Sequence, residues 1–429
     1  VGDEEGGDEV VKPPEPLAAA APESTRLDCL LSAGAMRPYL VALLRADDPG
    51  ASCHVLDAKY VPGERCTVLY ALGGRLVTGQ LSLNGGLHGA EAGLKLWEFP
   101  DDPALPGLRL LTRPDGLRDV LAEALPEGPR LRGCRATLVR YRPHRRATLL
   151  LSAWLGDRLV RYVGKAYHDE GKAAAVYAET LRLASVGAGA GRRGPIVLAA
   201  PVAFLAPPRL VLQRVVAGQS LNQLLGDRRG GGRDLGSSVR RAGAALAALH
   251  RAPEVSTRER PVEAELARFA RRAAAVRSVR PEVGARLLAV AEALDRHGRS
   301  LPPARRGLVH GDCKPSQFLL RPGDEVALLD FDHCGVADPA SDVGTFLAAL
   351  RRRRVSGAAP PGAHDLSAHF LAGYEHAGGS TPARVRWYEA VALVRAALRA
   401  FARAPRSPLP AALADEAMRC LTGAEGRAA

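Results

Sequence analysis

A tight loop carrying a carboxylate, His310-Gly311-Asp312, is followed five residues later by the amide of Gln317. At the end of the apolar run Val326-Ala327-Leu328-Leu329 come two more carboxylates, Asp330-Phe331-Asp332. These groups, in this order, can orient a hydroxyl nucleophile and hold magnesium on a nucleotide triphosphate. Asp312 is the candidate base, because a carboxylate that accepts the hydroxyl's hydrogen bond sets it in line for transfer. A purely structural aspartate here would only cap a turn. Gln317 and Asp330 are the candidate magnesium ligands, since magnesium takes oxygen donors and combines one or two carboxylates with waters and phosphates. Asp332 either contacts a second metal or caps the next turn. His310 is expected to brace the loop, and Asp342 to anchor it.

The charge of +13 and a pI near 9.8 favour anionic partners. Nucleic acid is not expected among them: there is no RNA-binding sheet motif, no zinc-finger spacing and no basic stripe interleaved with aromatics. Seven cysteines, an odd number without a C-x-x-C pair, read as reduced thiols. The longest apolar stretch, around 195–212, is broken by Pro201, Pro207, Pro208 and Arg209, so no membrane span is expected. The acidic N-terminus lacks a basic segment followed by an apolar one, and a cytoplasmic protein is expected. Lysine is scarce: the 59 basic residues include six lysines, at 12, 59, 95, 165, 172 and 314.

Along the chain, residues 1–24 are acidic and Gly/Pro-rich and are expected to form a disordered tail. Two hairpin-like segments then resemble each other. Tyr60-Val61-Pro62-Gly63-Glu64-Arg65-Cys66-Thr67-Val68-Leu69 aligns with Tyr141-Arg142-Pro143-His144-Arg145-Arg146-Ala147-Thr148-Leu149-Leu150 at Tyr, Pro, Arg, Thr and Leu. Each runs through a Gly turn into a further strand, and only the second copy goes on to a lysine, Lys165. Helical periodicity predicts helices over 172–183, 240–250, 263–276, 281–294, 364–377 and 383–404. The expected organisation is a cap-like hairpin domain at 26–128, a β-rich lobe at 129–215 and a helical lobe at 216–429.

The runs His310-Gly311-Asp312, Asp330-Phe331-Asp332 and Asp338-Pro339-Ala340-Ser341-Asp342 resemble the aminoglycoside phosphotransferase and choline kinase family. That resemblance implies an α+β, bilobal protein-kinase-like fold with a β-rich N-lobe and a mostly helical C-lobe. The additional N-terminal β-rich cap-like domain is similar to that of some bacterial members. It also implies ATP as co-substrate, with GTP not excluded, Mg2+ as cofactor and a small hydroxylated substrate. No membrane and no obligate protein partner are expected.

Within the family pattern, Lys165 at the end of an apolar strand would hold the α- and β-phosphates as a point charge. Glu179 on the following helix would orient it. Gln213 and Val215 fall on a strand that resembles the family's hinge, and Lys314 would neutralise charge developing on the transferred phosphoryl group. Gln317 departs from the family's usual asparagine by one methylene. The loop Pro143-His144-Arg145-Arg146 stands where protein kinases carry a glycine-rich loop; its arginines either meet phosphate or form a solvated turn. After Asp332 the chain has twelve arginines against eight acidic residues, a balance that favours a sugar or other hydroxylated metabolite over a polycationic drug. The alternative function is a nucleotide-binding pseudokinase that acts as an interaction scaffold.

Overall fold

The computed structural model describes residues 14–18, 20–44, 50–83, 93–188, 196–227, 234–360, 366–380 and 384–423. They fall into two compact units, residues 1–106 with 401–406, and residues 107–400 with 407–429.

The first unit begins with two helices, α1 (Glu23–Leu31) and α2 (Ala33–Leu43). The Ser32 side chain accepts from the Ala35 N–H, ending one helix and capping the next. Four antiparallel strands follow in the order β1 (Cys53–Val61), β2 (Arg65–Leu72), β3 (Arg75–Ser82) and β4 (Leu94–Glu98). Leu30, Met36 and Leu40 from the helices and Val68, Tyr70 and Leu81 from the sheet are fully buried. The tail expected over 1–24 lies outside the described residues as far as 13. From Glu15 the chain makes a 3-10 turn that buries Leu17, and Glu23 already opens α1. Within the expected tail, residues 15–17 and 23–24 are therefore helical, and Leu17 is an apolar side chain with a place in the core.

The second unit starts with α3 (Leu108–Thr112) and α4 (Pro114–Ala124), so the division falls at 106/107 and not at the expected 128. The α4 helix is amphipathic, buries Leu117, Val120 and Leu121, and packs on the first strand of the next sheet. The chain then runs through β5 (Leu131–Arg142), β6 (Arg146–Leu155), β7 (Arg158–Tyr167), the long helix α5 (Glu170–Ala188), β8 (Ile196–Leu198), β9 (Pro201–Leu205) and β10 (Leu210–Arg214). Five of these strands form one antiparallel sheet, β5-β6-β7-β10-β9. Helix α5 covers it through Ala173 and Val176, which pack with Tyr167 and Val211.

Both hairpins that resemble each other in sequence are hairpins in space. Glu64 N–H donates to Val61 O at 3.1 Å and Arg145 N–H to Arg142 O at 3.0 Å. In each turn proline takes the first corner, and a residue with positive φ the second: Gly63 at 69° and His144 at 57°.

The helical part follows, with β11 (Gln219–Ser220), α6 (Leu221–Leu224), α7 (Leu235–His250), α8 (Glu263–Val279), α9 (Pro281–Ser300), β12 (Gly307–Val309), β13 (Phe318–Leu320), β14 (Val326–Leu328) and β15 (Gly335–Ala337). It ends with α10 (Ala340–Val355), α11 (Leu366–His376), α12 (Val385–Arg403) and α13 (Leu409–Thr422). Asp234 accepts from the Ser237 N–H at 2.9 Å and caps α7. The aromatic rings of Phe318, Phe346 and Phe370 pack in sequence through the core, Phe346 and Phe370 stacked 3.8 Å apart. Two short antiparallel ladders, β13 with β14 and β12 with β15, bring the acidic loops together. No described helix is long and apolar enough to cross a membrane.

Candidate active site

Strand register decides which side chains face the acidic loops. Arg146 lies opposite Tyr167 and Thr148 opposite Lys165 across β6 and β7, while Arg142 lies opposite Arg146 across β5 and β6. Directly opposed residues and alternate residues share a face of the sheet, so Arg142, Arg146, Lys165 and Tyr167 point the same way. Lys165, buried at the end of β7, places Nζ 2.7 Å from Asp330 Oδ1 and 3.0 Å from Asp332 Oδ1. Arg146 donates to Asp332 Oδ2 and lies 3.4 Å from Asp330 Oδ1. The Tyr167 hydroxyl donates to Asp332 Oδ2 at 2.9 Å. Asp330 adopts left-handed backbone, φ 64° and ψ 60°, a conformation that marks functional turns in a non-glycine residue. Burial alone would raise its pKa, but Lys165 and Arg146 outweigh that and hold its carboxyl far below the ordinary carboxylate range.

The Asp312 loop is braced from behind. Asp342, fully buried, accepts from His310 N–H at 2.5 Å and Gly311 N–H at 2.9 Å, and meets His250 Nε2 at 3.2 Å. His310 Nδ1 accepts from the Asp312 N–H at 3.3 Å, and Nε2 then donates to Leu329 O at 2.8 Å. Leu329 N–H donates to Gln317 O at 2.9 Å. The backbone that delivers Asp330 is thus hydrogen-bonded both to His310 and to Gln317. Asp312 Oδ2 accepts from Lys314 Nζ and, at 3.4 Å, from Gln317 Nε2. Burial pushes the Asp312 pKa up, yet the adjacent Lys314 charge and hydrogen bond outweigh it, leaving the carboxyl below its ordinary value and ionised at neutral pH.

The profile of the Phosphotransferase enzyme family (APH) matches residues 152–388, more than half of the chain and all of these acidic groups. The chain belongs to this family. No curated protein matches the sequence. Among solved structures, choline kinase from Cryptosporidium parvum Iowa II superposes with a TM-score of 0.51 at 10% identity, over 72% of this chain and 96% of that one. Aminoglycoside phosphotransferase APH(4)-Ia gives 0.50 at 14% identity, over 72% and 99%. At such identities the likeness is one of fold: the bilobal, protein-kinase-like architecture.

In this phosphotransferase the residues singled out from sequence divide into groups. Lys165, Asp330 and Asp332 come together, as do Asp312, Lys314 and Gln317. Glu179 does not meet Lys165 as expected. It is fully buried on α5, accepts from Arg182 at 2.9 Å, and leaves Oε1 without a hydrogen-bond partner. Lys165 has two nearer carboxylates to satisfy it. Gln213 is buried on β10 opposite Val163, and Val215 is exposed just beyond that strand.

The sequence leaves Arg146 open between a phosphate contact and a solvated turn, and it gives Tyr167 and Arg142 no role. Two-residue alternation from Lys165 would have placed Tyr167 on the same face. Arg142 is lowered to about 10, by burial first and then by the like charges of Arg140 and Arg146, while Asp330 and Asp312 pull it upward. Its guanidinium therefore feels both acidic loops.

The donor set fits a hard divalent cation. Asp330 keeps a quarter of its side chain exposed. Gln317, with its NH2 turned to Asp312, retains its amide oxygen as an acceptor. Oxygen donors of this kind, completed by phosphate and water, suit magnesium.

Proposed function

We propose that this enzyme is an ATP- and magnesium-dependent phosphotransferase that passes the γ-phosphate to a hydroxyl of a small molecule. The observation that carries this reading is the tie between the two acidic loops, through His310, Leu329 and Gln317, beside a buried lysine. Asp312, ionised, would accept the hydrogen bond of the acceptor hydroxyl and take its proton as the oxygen bonds to the γ-phosphorus and the bond to the β–γ bridging oxygen breaks, releasing ADP. Lys314, paired with Asp312, lies beside the oxygens on which charge develops. Gln317 and Asp330 would hold the metal, whose chemistry is to neutralise the phosphates and orient them. Lys165 would supply a second positive charge toward the α- and β-phosphates, and Gln213 and Val215 at the strand end would lie beside the base.

The acceptor is a sugar, amino alcohol or antibiotic; choline and aminoglycosides are acceptors named for the structural neighbours. Arg142 and Arg399 both act on Asp312 electrostatically, which favours a neutral or anionic acceptor over a polycation. Seven free cysteines support a cytoplasmic setting.

The test is a thermal-shift titration with ATP and GTP, with and without magnesium, on wild type, Asp330→Ala and Asp312→Asn. A magnesium-dependent rise of wild type, lost in Asp330→Ala and kept in Asp312→Asn, is expected. Asp312→Asn should then lose about 100- to 10,000-fold in turnover on whichever acceptor is found. Nucleotide binding with no turnover on a broad hydroxyl panel would favour the scaffold reading instead.

A further inference from the structure

Asp330 and Asp332 look equivalent in sequence, but the structure treats them differently. The Asp332 side chain is 4% exposed, and both its oxygens are engaged: Oδ1 by Lys165 at 3.0 Å, and Oδ2 by Arg146 and by the Tyr167 hydroxyl at 2.9 Å. A carboxylate has about four acceptor sites, and three charged or hydroxyl donors fixed by strand register take most of them. A divalent cation would reach Asp332 only by displacing Lys165 or Arg146, both anchored on the sheet. Asp330, the more exposed partner, makes contact through Oδ1 only with the same two cations.

Charge makes the same distinction. Two carboxylates here face two close cations, with Arg142 on the same sheet face as a third. If a metal takes Asp330, the surroundings become strongly positive, and an anion must enter with it. Arg146 projects from the start of β6, immediately after the turn Arg142–Arg145, and its planar fork suits two oxygens of a phosphate.

We propose that Asp332 is not a metal ligand but a positioning residue that holds Arg146, and that Arg146 contacts the phosphates of the bound nucleotide. This rests on the nucleotide–metal reading above. The hairpin turn then does with one anchored guanidinium what a glycine-rich loop does with backbone N–H groups.

The experiment compares wild type, Asp330→Asn, Asp332→Asn, Arg146→Gln, Arg146→Lys and the Asp332→Asn/Arg146→Gln double variant. It reads ATP and adenosine affinity by calorimetry, and manganese bound in the presence of ATP by electron paramagnetic resonance. Asp332→Asn and Arg146→Gln should each weaken ATP about tenfold while leaving adenosine unchanged, and the double variant should lose little more than either. Arg146→Lys should not restore affinity, because an ammonium lacks the fork. Manganese should remain in Asp332→Asn and be lost in Asp330→Asn. Manganese lost from a folded Asp332→Asn, or ATP affinity unchanged in Arg146→Gln, would overturn the inference while leaving the nucleotide site standing. Should Asp332→Asn not fold, the arginine variants still decide it, since Arg146 lies at a hairpin end. A wild type that binds neither ATP nor manganese would overturn both readings.

Discussion

Gly311 sits at φ 77°, between two residues whose positions matter to the site, and a Cβ there would lie 1.9 Å from His333 O. Two demands converge on one residue: left-handed backbone, and no side chain against the 3-10 turn Phe331–His333. Gly311→Ala should therefore cost more than the roughly 1–3 kcal/mol of left-handed strain alone. The loop can relieve the clash only by pulling away from Asp342, whose oxygens hold the His310 and Gly311 N–H groups. If Asp312 is the base proposed above, displacing it by about 1 Å should lower turnover roughly a hundredfold. Chemical denaturation should show the stability loss, and turnover at saturating nucleotide should fall further than nucleotide affinity does. An alanine variant with wild-type midpoint and turnover would mean that the Gly311 backbone is not the constraint.

The two related hairpins let one turn be compared with its counterpart. Gly63 and His144 occupy the same left-handed corner, and histidine tolerates it less well than glycine. His144→Gly should shift stability by less than about 1 kcal/mol, because relief of strain offsets the added chain entropy. Gly63→Val and His144→Val should each cost about 1–2 kcal/mol, measured as a drop in the unfolding midpoint. In β2 the alternation buries Cys66 completely, and burial pushes its thiol up to about 12 from an ordinary 9.0. The unfolded chain releases that proton near pH 9 and the folded chain does not. Stability from this group is therefore complete below about pH 9 and is lost as pH rises from 9 toward 12. Cys66→Ala should lose stability less steeply over that range than wild type; identical slopes would count against the burial argument. What was legible at this scale follows the same physics. The helices α8 and α9 begin at Glu263 and Pro281, as periodicity predicts, because each carries its apolar stripe in its own sequence. The Asp312 and Asp330 loops were legible because their chemistry is concentrated between 310 and 332. Arg146 was not, because its role depends on pairing with Tyr167 across a hairpin and on reaching Asp332, 186 residues away. Glu179 was placed on the right helix, but helix spacing gives it Arg182, three residues on, before any strand lysine.

Over the whole molecule, chain order and spatial order part company at one helix. Most of α12 belongs to the second unit, where Arg395 forms a two-bonded ion pair with Glu265, but residues 401–406 belong to the first. There Phe401 is 2% exposed, with its ring centroid 5.8 Å from that of Tyr60, while Arg403 reaches Asp57 at 3.0 Å and Arg406 pairs with Asp28. Local sequence places this whole stretch in the C-terminal lobe, because its partners lie more than 300 residues upstream. The first unit is therefore completed by the far end of the chain, and its core should depend on that segment. Phe401→Ala removes a buried ring and should lower unfolding free energy by about 3–5 kcal/mol. The solvent-facing ion pairs Arg403–Asp57 and Arg406–Asp28 should contribute about 0–1 kcal/mol each. Because Phe401 and the acidic loops belong to different units, Phe401→Ala should keep the nucleotide affinity proposed above for the wild type at a temperature where both units are folded. Calorimetric titration below the unfolding transition, beside urea denaturation, separates the two effects. A variant that loses nucleotide affinity in step with stability would show that completion of the first unit is a condition for the site in the second.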